Sequence, residues 1–159
     1  MSLERFKQAQ ADPVSGHATA LAELQAGAKR SHWMWYIFPQ LRGLGSSAMA
    51  VRYGLEGIQE ARAYLADPEL SEHLRLVTLA VEHSLEKGTP LLALMGSEVD
   101  ARKLVSSLTL FEALGSDTGQ TSSNTRAAEI SRLARMILER AECQGISRCR
   151  PTLDALNVG

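Results

Sequence analysis

"DPELSEHLRLVTLAVEHSLEKG", residues 67–88, carries the signals of a long amphipathic helix from its first residue to its last. Asp67 is a preferred N-cap, and Pro68 follows at the first helical position, where a missing N–H is harmless. Leu70, Leu74, Val77, Val81 and Leu85 then trace one apolar stripe, and Lys87-Gly88 supplies a basic last turn and a C-cap. His83 falls opposite that stripe. A polar face and an apolar face separated in this way describe a helix lying on a core.

The same periodicity extends in both directions. Upstream, a helix over Leu3 to Gln10 breaks at Asp12-Pro13, and Val14, Ala18, Leu21 and Ala22 mark a second that Gly27 ends. Residues 58–66 form a short helix closed by Asp67-Pro68. Downstream, "TPLLALMG" is another short helix, and Ser97 opens a longer one to about Leu114, with Asp100 at the third helical position as in a capping box. "GSDTGQTSSNT", residues 115–125, reads as a mobile loop. Ala127, Ile130, Ala134, Ile137 and Ala141 mark a final long helix from Thr125 to Cys143, and residues 146–159 form a short tail with about one helical turn. The expectation is an all-α, single compact multihelical domain spanning 1–159, with at most one or two short extended segments.

Composition narrows the function. The chain has 159 residues, 45% hydrophobic and 22% charged, with a net charge of −1, which fits one globular domain and gives no electrostatic footprint for nucleic acid. No apolar run reaches the roughly 18 residues of a membrane span, and the start "MSLERFKQAQ" lacks a signal's apolar stretch, so a cytoplasmic protein with no membrane partner is expected. Cys143 and Cys149 lack zinc or redox spacing, and His17, His32, His73 and His83 lack ligand spacing. No metal and no cofactor are expected; oligomeric state is left open.

One stretch is compositionally unlike the rest. The chain carries only 2 Trp, 3 Tyr and 3 Phe, yet Trp33, Trp35, Tyr36 and Phe38 fall together in "KRSHWMWYIFPQLRGLGSS", residues 29–47. Apolar residues occupy both alternating faces, so periodicity does not separate strand from helical turn. As core, these residues need no ligand. As a wall, Trp33 or Trp35 stacks on a ring, His32 has acid/base character, Lys29 faces phosphate, and Gln40 with Ser47 of the glycine-serine loop supplies polar contacts.

A second stretch, "DARKLVSS", breaks its own helical pattern. At about 100° per residue, Asp100, Lys103 and Ser107 share the face carrying Leu104, Leu110, Phe111 and Leu114. Three readings stand: an i, i+3 pair of Asp100 with Lys103 at the helix start, a structural buried ion pair, or a site into which all three polar side chains point.

The order "RF...AQ", "KRSHWMWYIFPQLRGLGSS", "DPEL" and "D..KLVSSLTLF" resembles the bacterial family catalogued as domain of unknown function eighteen-ten, sometimes mislabelled calpastatin. The resemblance implies a small, mostly helical bacterial protein with no assigned activity. Its polar signature falls on Lys29, Ser31, His32, Gln40, Ser47, Asp100, Lys103, Ser106 and Ser107, and its aromatic signature on Trp33, Trp35, Phe38, Tyr53 and Phe111. This chain has Cys149 where the family has an acid three residues before Thr152. Calpastatin itself is excluded physically, because a disordered inhibitor has no apolar stripes or helix caps.

Taken together, the two polar-in-apolar stretches suggest a pocket for a nucleotide-like or phosphorylated, ribosylated small molecule. Lys29, Trp33, Trp35, Gln40, Ser47, Lys103 and Ser107 are the expected ligand contacts, with His32 and Asp100 as catalytic candidates for hydrolysis of an N-glycosidic or phosphoester bond. The rival reading is a non-catalytic binding or regulatory module whose aromatic strip is core or a protein interface.

Overall fold

A computed structural model describes residues 2–117 and 125–158. Within them the chain forms α1 (Glu4–Gln10), α2 (His17–Gln25), α3 (Met34–Ile37), α4 (Ala48–Tyr53), α5 (Ile58–Ala66), α6 (Pro68–Glu86), α7 (Leu91–Met95), α8 (Glu98–Asp117), α9 (Thr125–Cys143) and α10 (Arg150–Val158). The all-α expectation holds. Among the described residues, β-pairing is confined to an isolated parallel bridge between Leu41 and Leu55.

The cap that opened the reading is in place: Asp67 Oδ1 accepts the amides of Glu69 and Leu70, each at 3.0 Å. Leu70, Leu74, Val77, Val81 and Leu85 are all buried, and α6 packs along α9, whose Ala127, Ile130, Ala134, Ile137 and Ala141 are fully buried. Full burial of a leucine or valine contributes roughly 1.5–3 kcal/mol, so this pair of stripes supplies a large part of the core.

The largest interhelical interface joins α8 to α9. There the loop expected over residues 115–125 is corrected in part: α8 continues through Asp117, and residues 118–124 lie outside the described residues. Gly115 does not end the helix. A Cβ at this position would lie 2.5 Å from Ala127 O and 2.8 Å from Ser131 Cβ, so glycine serves the close approach of the two helices. Ser131 Oγ donates to Glu112 O at 2.7 Å across the same crossing.

Two other helices exceed the expectation. α10 runs nine residues rather than one turn and buries Thr152, whose hydroxyl donates to Cys149 Sγ at 3.2 Å. α4, which periodicity missed, sits between the two strand-like residues. Leu55 N donates to Gln40 O (2.9 Å) and Arg42 N to Leu55 O (2.8 Å), closing the loop around it. A Cβ on Gly54 would lie 2.8 Å from both Ala50 O and Arg42 Cα, so this closure requires glycine.

Candidate functional site

Residues 29–33 follow α2 without regular structure, and their polar groups need partners that a helix would otherwise supply. Glu23, near the end of α2, provides most of them. Its Oε1 accepts the amides of Arg30 (2.8 Å) and Ser31 (2.9 Å) and the indole N–H of Trp33 (2.9 Å), while Oε2 accepts the Ser31 hydroxyl. Burial pushes the Glu23 carboxyl up, but these hydrogen bonds, led by Ser31, outweigh it and hold the group down to about 2. Sequence reasoning missed Glu23, because nothing local distinguishes it from any other acid on a helix.

Lys29 continues the same network. Its amide donates to Leu94 O (2.7 Å), and its ammonium group donates to Ser31 O, lies 5.0 Å from the Trp33 ring centroid and pairs with Asp100 Oδ2 at 2.9 Å. The Lys29 side chain is 6% exposed and that of Asp100 22%. Of the three readings of Asp100, the geometry supports the structural ion pair, with the partner on the aromatic stretch and not at Lys103. The two unusual stretches of sequence therefore face each other, joined by a nearly buried salt bridge.

Lys103 turns to a different neighbour. Its ammonium lies 5.2 Å from the Trp35 ring centroid, and among the described residues it has no carboxylate partner. Trp35, partly buried against the core, and Lys103 line a cleft with Gln40, Tyr53, Phe38 and Met34, floored by Ala50 and Gly54. The cleft encloses about 250 Å³ counted to its open mouth, and its interior has room for about one ordered water. Trp35 Nε1 is shielded from solvent and has no acceptor. Two residues of the cleft lining thus hold donor-only groups without an acceptor, the Lys103 ammonium and the Trp35 indole N–H.

The remaining sequence-nominated residues sit elsewhere. Trp33 is 0% exposed, 6.3 Å from Phe38, so its faces are core contacts and its assignment as a stacking wall is corrected. Ser47 is the N-cap of α4, its hydroxyl accepting Ala50 N at 3.1 Å. Lys29 and Asp100 neutralise each other outside the cleft lining. Ser107 is fully buried on α8 with an unpartnered hydroxyl, and it too is not among the lining residues. His32 is exposed, and its carbonyl accepts the Tyr36 hydroxyl at 3.3 Å. Trp35, Gln40 and Lys103 are the nominated residues that the fold brings together, and Tyr53 joins them.

Among the described residues no group of three or more His, Cys, Asp or Glu converges to hold a metal, and no helix is long and apolar enough to cross a membrane.

No curated protein matches the chain. Among solved structures it is similar to the conserved hypothetical protein Rv1873 from Mycobacterium tuberculosis, determined by crystallography at 1.38 Å, with 42% identity and a TM-score of 0.65. The match covers 80% of this chain and 83% of that one. A family model described as Protein of unknown function (DUF1810) matches residues 1–127, and the chain belongs to that family.

Proposed function

We propose that the Trp35–Lys103 cleft binds an anionic small molecule of the nucleotide-like or phosphorylated, ribosylated kind. The observation that carries this reading is that two residues lining one cleft hold donors without acceptors, an ammonium lacking a carboxylate and a buried indole N–H. A buried donor without a partner costs about 1–3 kcal/mol, and an acceptor-rich anion would satisfy both donors. The Trp35 ring offers the planar surface for a base, and Gln40 can hydrogen-bond its edge.

The resting cleft is too narrow for such a ligand, so binding requires Lys103 to leave the Trp35 face. Its four-carbon stem makes that motion easy, and the cation–π contact it gives up is worth only about 0.5–1 kcal/mol at a site of this exposure. A phosphate then replaces the ring as the partner of the ammonium.

Binding is the part of the function the geometry favours. Hydrolysis would need His32 or Asp100 within reach of the ligand, and neither lines the cleft. What separates this reading from a module whose aromatic strip is only core is Trp35: its neighbours Trp33, Tyr36 and Phe38 are buried. Titration of the protein with AMP, ADP-ribose and inorganic phosphate, followed by tryptophan fluorescence, tests it. A saturable change is expected, abolished in Trp35→Phe and weakened about tenfold or more in Lys103→Ala, the loss of one charge-assisted hydrogen bond. Equal binding by wild type and Lys103→Ala, or no response to any of the three, would overturn it.

A further inference from the structure

Two histidines that show no relation in sequence meet in the fold. His17, the first residue of α2, stacks on His73 of α6 with ring centroids 3.9 Å apart and planes 9° from parallel. His17 Nδ1 is buried without a partner. His73 Nδ1 lies 2.8 Å from Gln10 Oε1, and the Gln10 amide nitrogen donates to Tyr36 O (2.8 Å) and Tyr64 Oη (3.0 Å). Gln10 therefore presents its carbonyl to His73, which places the His73 proton on Nδ1.

The pair is built for neutral imidazoles. Two protonated rings at stacking distance repel, and His17 stands at a helix N-terminus, where the dipole disfavours a cation. Among the described residues, the charged groups that act on the pair are Glu69 and Glu72 of α6. Glu72 is already held by Arg75 at 2.7 Å and Arg126 at 3.2 Å, which leaves little of its charge to stabilise an imidazolium. From α1 the pair meets the neutral Gln10.

The pair's contacts lead directly to the cleft wall. Gln10 connects His73 to the main chain of α3 at Tyr36, next to Trp35. The Tyr36 hydroxyl donates to Ser15 O at 2.8 Å, in the turn that enters α2 at His17. α2 also carries Glu23, which holds the segment leading into α3. We propose that the His17–His73 stack is an acid-sensitive latch: protonation separates the rings, loosens the start of α2 and the Gln10–Tyr36 link, and shifts α3 with its cleft residue Trp35. The consequence for ligand binding rests on the cleft reading, whereas the latch itself does not.

The two indole N–H resonances and the histidine ring signals, followed by NMR from pH 7.5 to about 3, test it. Both rings of the stack are expected to titrate below the ordinary imidazole value, His17 near 4, with the Trp35 indole signal moving on the His17 curve. His17→Phe keeps a stacked ring that cannot be protonated and should remove that movement; His73→Phe is the second such variant, and His32→Gln, which alters the histidine beside Trp33, should retain it. An unmoved Trp35 signal while His17 titrates, movement that persists in both phenylalanine variants, or movement lost in His32→Gln would overturn the latch. Sulfate, whose charge is constant over this range, is titrated separately at pH 7: its failure to shift Trp35 would count against the cleft and leave the latch readout intact.

Discussion

Replacing Asp100 by Asn removes the charge that faces Lys29 while keeping the side chain's size. The ammonium left behind is 6% exposed and retains only the Ser31 carbonyl and the Trp33 face. Breaking a buried ion pair from one side costs about 3–5 kcal/mol. Because the Asp100 side chain keeps 22% exposure, the lower end applies, about 2–3 kcal/mol after solvent screening. Lys29→Met removes the other charge, and the double variant removes both, so it should recover much of the loss. Urea unfolding of the four proteins gives the coupling directly, with an expected interaction energy of about 1.5–3 kcal/mol. A coupling below about 0.5 kcal/mol, or stabilisation by Asp100→Asn alone, would refute the structural ion pair and return Asp100 to the list of functional groups, since removing a functional polar group often stabilises.

Four further outcomes follow from the same contacts. Glu23→Ala should cost about 2–4 kcal/mol by urea unfolding, because it strands three N–H donors and a hydroxyl. Glu23→Gln should cost less, about 1–2 kcal/mol, since its carbonyl still accepts the three N–H groups and its amide can donate to Ser31 Oγ, while the charge that strengthened these bonds is gone. The Glu23 carboxyl is held down to about 2 in the fold from an ordinary 4.5, so its stabilisation is complete above pH 4.5 and is lost as pH falls toward 2; a melting-temperature profile of Glu23→Gln should lack that decline. Burial first, and His73 second, hold His17 down to about 4 from 6.5, so the unfolded chain binds the extra proton in that window and stability falls as pH drops from 6.5 toward 4; His17→Phe should flatten the profile there. Gly115→Ala should destabilise by about 1–3 kcal/mol in spite of alanine's better helix propensity, because its methyl would meet Ala127 O at 2.5 Å.

What was legible in the sequence was whatever depends on neighbours along the chain. Asp67-Pro68 announced α6, the run from Thr125 to Cys143 gave α9, and the Ser97 cap is present, its hydroxyl accepting Asp100 N at 3.1 Å. α4 escaped because six residues between a glycine-rich loop and Gly54 show too few turns for periodicity. Gly115 misled because a glycine that ends a helix and one that lets two helices approach look alike until the partner helix is in place.

The site divides along the same line. That Asp100 and Lys103 occupy an apolar face was readable from helical phase, but the ammonium beside Asp100 comes from Lys29, far away in the chain, and local phase carries no such information. Trp33 and Trp35 are equivalent in composition, and the single turn of α3 decides between them: one indole goes inward to Glu23, the other to the cleft. The aromatic stretch is therefore core along most of its length, and Trp35 is the aromatic side chain it leaves partly exposed on the cleft. His17 and His73 had no visible relation because stacking across two helices leaves no spacing signal.

The most direct test of the cleft uses that division between the tryptophans. In a titration with AMP at pH 7.5, the two indole N–H resonances report separately, and the Trp35→Phe variant assigns them. A saturable downfield shift of the Trp35 resonance is expected as its N–H gains an acceptor, with Trp33, already bonded to Glu23, unmoved. A shift confined to Trp33, or equal shifts of both, would contradict the cleft reading.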